Sequence, residues 1–352
     1  MNTETNIETL SCPLPFNNYE KVLLAHGSGG TFSGKLINDI FLKYFDNPHL
    51  NELHDGAVVD IPAGKLAFST DSYVVDPIFF PDSNIGDLAV NGTVNDLSCC
   101  GAKPLYLSAG FILEEGFPIK DLEKIVISMK NAAVRAGVSI ITGDTKVVNR
   151  GKVDKIFINT AGVGFVYEGI NISPKNCRAG DVIILNGAIA SHGIAIMSER
   201  EGFEFESKIK SDSAPLNELV ENICKISKNI HVLRDPTRGG LASALNEIAM
   251  SSGLGMYIEE NQILIDEQVK GVCEMLGFDP LYVANEGKII VIVSAEDADK
   301  ILYEMRKNIL GADSNIIGRV TSDNKQKVIM KTCIGTNRIV DMLSGEQLPR
   351  IC

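Results

Sequence analysis

Asn176-Cys-Arg-Ala-Gly-Asp181, running straight into the apolar stretch Val182–Asn186, is where the fold of this chain is decided. Gly180 and Asp181 make a turn, and the run after them has the length of a buried strand. The chain has 352 residues, enough for two domains at roughly 100–200 residues each. A turn at its middle divides it into halves of similar size.

On the N-terminal side, Leu36, Ile37, Ile40, Phe41, Tyr44 and Phe45 recur at helical spacing over residues 35–46. Strands are expected at Ala57–Ile61 and Lys65–Ser69. A helix of small and polar residues follows at Asp87–Cys100, then a strand at Pro104–Leu113. An amphipathic helix at Ile119–Gly137 closes on glycine. Strands at Val138–Thr142 and Lys155–Val166 end this half. On the C-terminal side the rhythm repeats. Asp235-Pro-Thr-Arg-Gly-Gly240 opens a helix over Leu241–Ser251, strands fall near Met256–Glu259 and Lys288–Val293, and Asp297–Leu310 reads as a helix. The expected class is α+β, with two domains of mixed strands. The divisions expected are an extension with a glycine-rich loop at 1–34, a first domain at 35–168, a second at 169–340 and a tail at 341–352. The tail contains Ser, Gly, Gln and Pro with few apolar residues, so it reads as mobile. Extended, it would reach ~35–40 Å.

Acidic residues outnumber basic ones 45 to 33, a net charge of −12. That argues against a nucleic-acid surface. The first six residues are polar, without the basic start and apolar run of a signal peptide, and the apolar runs are far short of a membrane span. The expected location is cytoplasmic, with no membrane partner. None of the eight cysteines is spaced C-x-x-C. Most read as core filler, but Cys352 ends the chain.

Ala25-His-Gly-Ser-Gly-Gly-Thr-Phe-Ser-Gly-Lys35 is glycine-rich, and Gly27, Ser28, Gly29 and Gly30 expose backbone N–H groups suited to phosphate. Gly29 to Lys35 matches G-x-x-x-x-G-K, yet Leu36 stands where a P-loop needs Ser or Thr. A phosphate-covering loop of another kind and a plain flexible turn both remain open. Acidic residues mark the turns: Asp55, Asp71, Asp96 after Asn95, Asp144 and Asp235. Each alone reads as a cap or turn former. Together, beside Gly, Ser, Thr or Asn, they are the oxygen donors that magnesium shares with substrate phosphates. Lys146 ends an apolar strand and Glu286 sits in a turn before the strand Ile289–Val293; each is either a solvated charge or a reactive group. The last residues, Leu348-Pro-Arg-Ile-Cys352, offer a nucleophilic thiol, with Pro349 stiffening its approach and Arg350 beside it.

The order HGSGG, HDGA, STDS, NDL, GDTKV, RDPTRGG, ANEG and a terminal PRIC resembles the HypE family of hydrogenase maturation proteins, over about Leu24 to Cys352. The middle motifs resemble more widely the ATP-using relatives aminoimidazole ribonucleotide synthetase, selenophosphate synthetase and thiamine-monophosphate kinase. The terminal PRIC is the specific part. The resemblance implies a PurM-like fold, with an N-terminal domain that binds ATP and dimerises, a C-terminal α/β sandwich and a flexible tail. It implies ATP and Mg2+, with Asp55, Asp71, Asp96 and Asp235 on the metal. Gly27–Gly30, Asn95 and Asp144 would join Asp71, Asp96 and Asp235 at the nucleotide. It also implies a HypF-type carbamoyltransferase that loads Cys352, ATP-dependent dehydration of the S-carboxamide to a thiocyanate, and a HypC–HypD-type acceptor that takes the cyano group for the iron of nickel–iron hydrogenase.

On that reading Lys146 and Glu286 are hypothesised to take protons from the carbamoyl nitrogen, with Lys146 alternatively a phosphate clamp. A selenophosphate synthetase is the nearest rival. It departs here because no thiol lies in the glycine-rich loop; Cys12 is well upstream. A non-catalytic scaffold with a docking tail is the rival of another class.

Overall fold

The computed structural model describes residues 19–28, 30–53, 56–60, 63–202, 209–344, 348 and 350–351. Gly29, Asp55 and Cys352 lie outside the described residues.

A helical run covers Gly30–Phe45 and contains α1 (Gly30–Leu36), a wider-wound turn at Ile37–Leu42, and α2 (Lys43–Phe45). Short α3 (Pro48–Asn51) follows, capped by Asn47. No strand forms at 57–60, where Val58 is exposed. The expected strand there is corrected: its apolar residues have no sheet edge to pair with. The first sheet has the order β1-β6-β4-β5, built from β1 (Leu66–Tyr73), β4 (Ala102–Glu114), β5 (Ser139–Val148) and β6 (Ile156–Val166). A small ribbon, β2 (Phe79–Phe80) with β3 (Ser83–Asn84), precedes α4 (Ile85–Cys99).

α4 is buried nearly all round, from Ile85 through Ser98, which is why small and polar residues suit it. Asn84 and Asp87 form its capping box. α5 (Ile119–Ala136) places Leu122, Ile125, Val126, Met129 and Ala133 on one buried stripe. It ends at Gly137, whose φ of 68° is left-handed.

The second sheet opens at β7 (Val182–Leu185) and has the order β13-β12-β9-β11-β7-β10-β8. Its other strands are β8 (Ile230–Arg234), β9 (Gly255–Glu259), β10 (Ile290–Val293), β11 (Asn315–Thr321), β12 (Val328–Lys331) and β13 (Asn337–Val340). β10 is Ile-Val-Ile-Val and buried throughout, because helices cover both faces. Ile290 and Ile292 join the cluster of α6 (Ser191–Glu201), α8 (Gly240–Ser252) and α9 (Glu267–Leu276). Val291 and Val293 join that of α7 (Asn217–Ile226) and α10 (Ala298–Met305).

α4 ties the two halves together. The Asn95 amide donates to Ala214 O at 3.0 Å and Glu286 O at 2.9 Å, and its oxygen accepts from Leu216 N at 2.8 Å. Asn91 donates to Ser213 Oγ at 3.0 Å.

Candidate active site between the domains

The acidic residues separate into two groups. Asp71 alternates onto the face of β1 that packs against α4. Ser69, two residues earlier on the same face, donates to Asp96 Oδ2 at 2.7 Å. Asp235 follows β8, with the Cys99 thiol 4.0 Å from its Oδ1. Glu286, read from sequence as a turn residue, is 2% exposed. Burial is the main force on all three groups that shift. It raises the Asp96 carboxyl above its usual range, takes Asp235 up to about 7, and lifts Glu286 well above the ordinary glutamate value. Mutual repulsion among these carboxylates and Asp71 adds to each shift, while Arg234 opposes it at Asp96 and Asp235.

Glu286 is held by its backbone. Its N–H donates to Asp212 Oδ1 at 3.1 Å and its carbonyl accepts from Asn95. The next residue must be glycine, since a Cβ on Gly287 would stand 1.8 Å from Asp212 O.

Asp144 and Lys146 belong to the other group. Register carries Asp71 across to Thr160, Ala109 and Gly143, and Ser72 to Asn159, Gly110 and Asp144. Asp144 and Lys146 therefore lie on the opposite face from Asp71, three strands away, or ~14 Å. They line a cavity of about 400 Å³ with His26, Gly27 and Ser33. Gly27 is a packing glycine, because a Cβ there would meet Val147 N at 2.5 Å. Ser28 donates to Leu24 O, and Gly30 has φ +71° with open space around it.

The end of the chain enters between the domains. The expectation that it has few apolar anchors is corrected: Ile351 is 3% exposed, among a core cluster that includes Ile196 and Ala284. Leu348 also packs against that cluster. His192 Nε2 and Ile351 O are 2.9 Å apart, and His192 Nδ1 lies 2.8 Å from Ser211 Oγ. A carbonyl only accepts, so the proton sits on Nε2. Burial lowers the His192 pKa and keeps the ring neutral, against smaller opposing effects of Asp212 and Ile351. Nδ1 then accepts from Ser211.

Arg350 O accepts from Asp76 N at 3.2 Å and Arg200 Nη2 at 3.0 Å. The Arg350 guanidinium donates to Asp154 Oδ2 at 2.6 Å. His192, Arg200, Asp76 and Asp154 were not singled out from sequence. Ser191-His-Gly193 at the start of a helix was the one available signal.

Two family models match: "AIR synthase related protein, N-terminal domain" over residues 53–166, and its C-terminal counterpart over 178–331. The carbamoyl dehydratase HypE of Cupriavidus necator is 51% identical over 333 residues, 94% of this chain and 95% of that protein. The chain belongs to the HypE family.

HypE of Escherichia coli K12 is 43% identical over 94% of this chain and 99% of its own. A crystal structure of HypE in complex with ATP superposes with a TM-score of 0.91 at 50% identity, covering 94% of this chain and 99% of that one. HypE in a HypE–HypF complex superposes at 0.78 with 49% identity, over 88% and 99%. Aquifex aeolicus thiamine-monophosphate kinase shares the fold, at 19% identity and TM-score 0.58. The two domains are PurM-like and the class is α+β, as in HypE. No helix among the described residues is long and apolar enough to cross a membrane.

Proposed function

We propose that this chain is an ATP-dependent carbamoyl dehydratase that converts an S-carboxamide on its own Cys352 to a thiocyanate, supplying cyanide for the iron of nickel–iron hydrogenase. The observation that carries the reading is the seat of Ile351. Its carbonyl rests on His192, in a cluster with Ala284, two residues from Glu286. The residue joined to that carbonyl is Cys352.

The chemistry follows from the group carried. An amide oxygen is a poor leaving group. Transfer of the γ-phosphoryl of ATP to it gives a C–O–phosphate linkage, and loss of phosphate with both nitrogen protons leaves C≡N on sulfur. ADP and phosphate are the other products. Glu286 is the proposed proton acceptor: it is buried two residues from Ala284 at the tail's seat, and burial and the neighbouring carboxylates raise its affinity for a proton. Lys146 is the second candidate and would come from a partner subunit. The outer sheet face that carries Lys146 also exposes Phe68 and Leu66 on β1 and Ile112 on β4. A second copy covering this face would form the homodimer and bring Lys146 and Asp144 to a shared nucleotide.

Magnesium suits the donor set. Asp71, Asp96 and Asp235 are hard oxygen ligands whose crowding a dication would offset, with Asp55 as a further donor. Among the described residues no three such groups already hold a metal position, so nucleotide oxygens would complete the shell. When bound, the metal would neutralise phosphate charge. Gly27–Gly30 and Asn95 would frame the nucleotide. A HypF-type carbamoyltransferase would load the thiol, the relatives' complex with HypF supporting that partner, and a HypC–HypD-type complex would accept the cyano group.

Mass spectrometry of the C-terminal peptide tests the scheme. Incubation with the carbamoyltransferase system should add one carbamoyl group to Cys352, and ATP should then remove one water. Activity preserved in Cys352→Ala with no mass change would overturn it.

A further inference from the structure

A second cavity, of about 350 Å³, lies where the connector between β6 and β7 crosses the turn from α7 into β8. It is lined by Lys175 and Arg178 from the connector, by Lys228 from the turn and by His231 from the start of β8. The chain as a whole carries a charge of −12, yet these three cations have no acidic partner among the described residues. The Lys228 ammonium donates to Cys224 O at 3.0 Å, a bond that leaves its charge uncompensated.

His231 is 7% exposed, and Asp181 stands behind it, with Oδ2 2.7 Å from Nδ1. Asp181 is further occupied by Arg178 N at 2.7 Å. Its charge is thus spent on holding the ring. Nε2 has no hydrogen-bond partner among the described residues and is the ring nitrogen left for a ligand. A buried imidazole oriented by a carboxylate, with three unpaired cations around a polar hollow, is an arrangement for an oxyanion.

Beyond Asp181, Asp297 accepts from the lining residue Asn229 and is also engaged by Ser227 and Lys300. His231 is the second residue of β8 and Asp235 follows its last, so the cavity and the candidate active site lie about 13 Å apart along that strand. The volume exceeds a bare phosphate and falls at the small end of ligand pockets, roughly 300–1,000 Å³.

We propose that this cavity binds the phosphate group of a small phosphorylated molecule, held by Lys175, Arg178 and Lys228, with His231, protonated on both ring nitrogens when flanked by Asp181 and the ligand, donating from Nε2 on the buried side. Such a ligand would clamp the interdomain connector onto the second domain.

Isothermal titration of the full chain tests this, with the nucleotide site first filled by a non-hydrolysable ATP analogue. The probes are inorganic phosphate and glycerol phosphate. Saturable binding of one equivalent is expected, weakened about tenfold or more by Arg178→Ala and by His231→Gln, and unchanged by Lys225→Ala, whose partner is Glu221. Tighter binding of the ester identifies a phosphorylated metabolite as the source, and equal binding identifies free phosphate. Arg178 is exposed, so its variant keeps the test valid if His231→Gln unfolds. Absence of heat with both probes, or affinity unchanged in Arg178→Ala and Lys175→Ala, would overturn the proposal.

Discussion

His192 donates from Nε2 to the carbonyl of Ile351 at 2.9 Å, a bond between a fully buried imidazole and the penultimate residue of the chain. Nδ1 accepts from Ser211, so the ring is locked in one tautomer and one orientation. Removing it in His192→Ala leaves a buried carbonyl without its donor, at a cost of about 1–3 kcal/mol. The expected result is a roughly 5- to 140-fold slower conversion of a preloaded tail in single turnover, since 1.4 kcal/mol is tenfold. ATP affinity should be unchanged. An unaltered rate would show that the seat is not the reacting position.

Asp235 gives a pH dependence with a definite sign. Its folded pKa is about 7 against 3.8 for the free side chain. Below pH 3.8 both states hold the proton. Between that value and about 7 the folded state holds more protons than the unfolded one, so stability falls as pH rises through this window. Asp96 and Glu286 shift in the same direction and add to the slope. Thermal melts across the window should show the fall in the ligand-free protein and a shallower fall in Asp235→Asn. Affinity for magnesium–ATP should do the reverse, strengthening as pH rises through about 7, because the cation needs the carboxylate.

Glu286→Gln separates chemistry from fold. The amide keeps the shape and removes a buried ionisable group, so the melting temperature at pH 8 should be equal or higher. Loss of a positioned base costs typically ~10²–10⁴ in rate. Thiocyanate formation should fall by about that factor while ATP binding persists. A variant that turns over normally would remove Glu286 from the mechanism.

Phe68 is 69% exposed on the outer face of the first sheet, with Leu66 and Ile112 nearby at 48% and 44%. Phe68→Glu would place a charge in the proposed subunit contact. Sedimentation should show a monomer, against a dimer expected for the parent chain, and ATP turnover should fall with it, since Lys146 and Asp144 share that face. A dimer that survives the substitution would locate the contact elsewhere.

The helices with clean stripes were legible in the sequence: α5 begins at Ile119 and ends at Ala136, as its spacing and Gly137 require. β10 was legible as an apolar run, although it begins at Ile290. The expected strand over Ala57–Ile61 shows the limit of such runs, because apolar residues need a neighbouring edge before they pair. α6, α7 and β8 went unassigned. β8 is only five residues, and α6 opens on Ala190 at φ 75°, a conformation that composition does not announce. In the candidate site, Asp71, Asp96, Asp235 and Glu286 were singled out by their turns, and the structure brings them together. Asp144 and Lys146 share a motif style with them but alternate to the other sheet face, a matter of register that one sequence does not carry. The tail's seat was least legible. Its donors, His192 and Arg200, sit about 150 residues away, and they meet carbonyls, which every residue has.

That last point governs the traffic of cargo. The grip on the chain end falls on the main-chain oxygens of Arg350 and Ile351, which are the same whether the thiol beyond them is bare, loaded or converted. On the proposed scheme these backbone contacts would not by themselves sort the three forms. On that scheme a loading enzyme and an accepting complex would each compete with this enzyme's own hold on the same peptide, and the spontaneous departure of Ile351 would set the ceiling on how fast any of them is served.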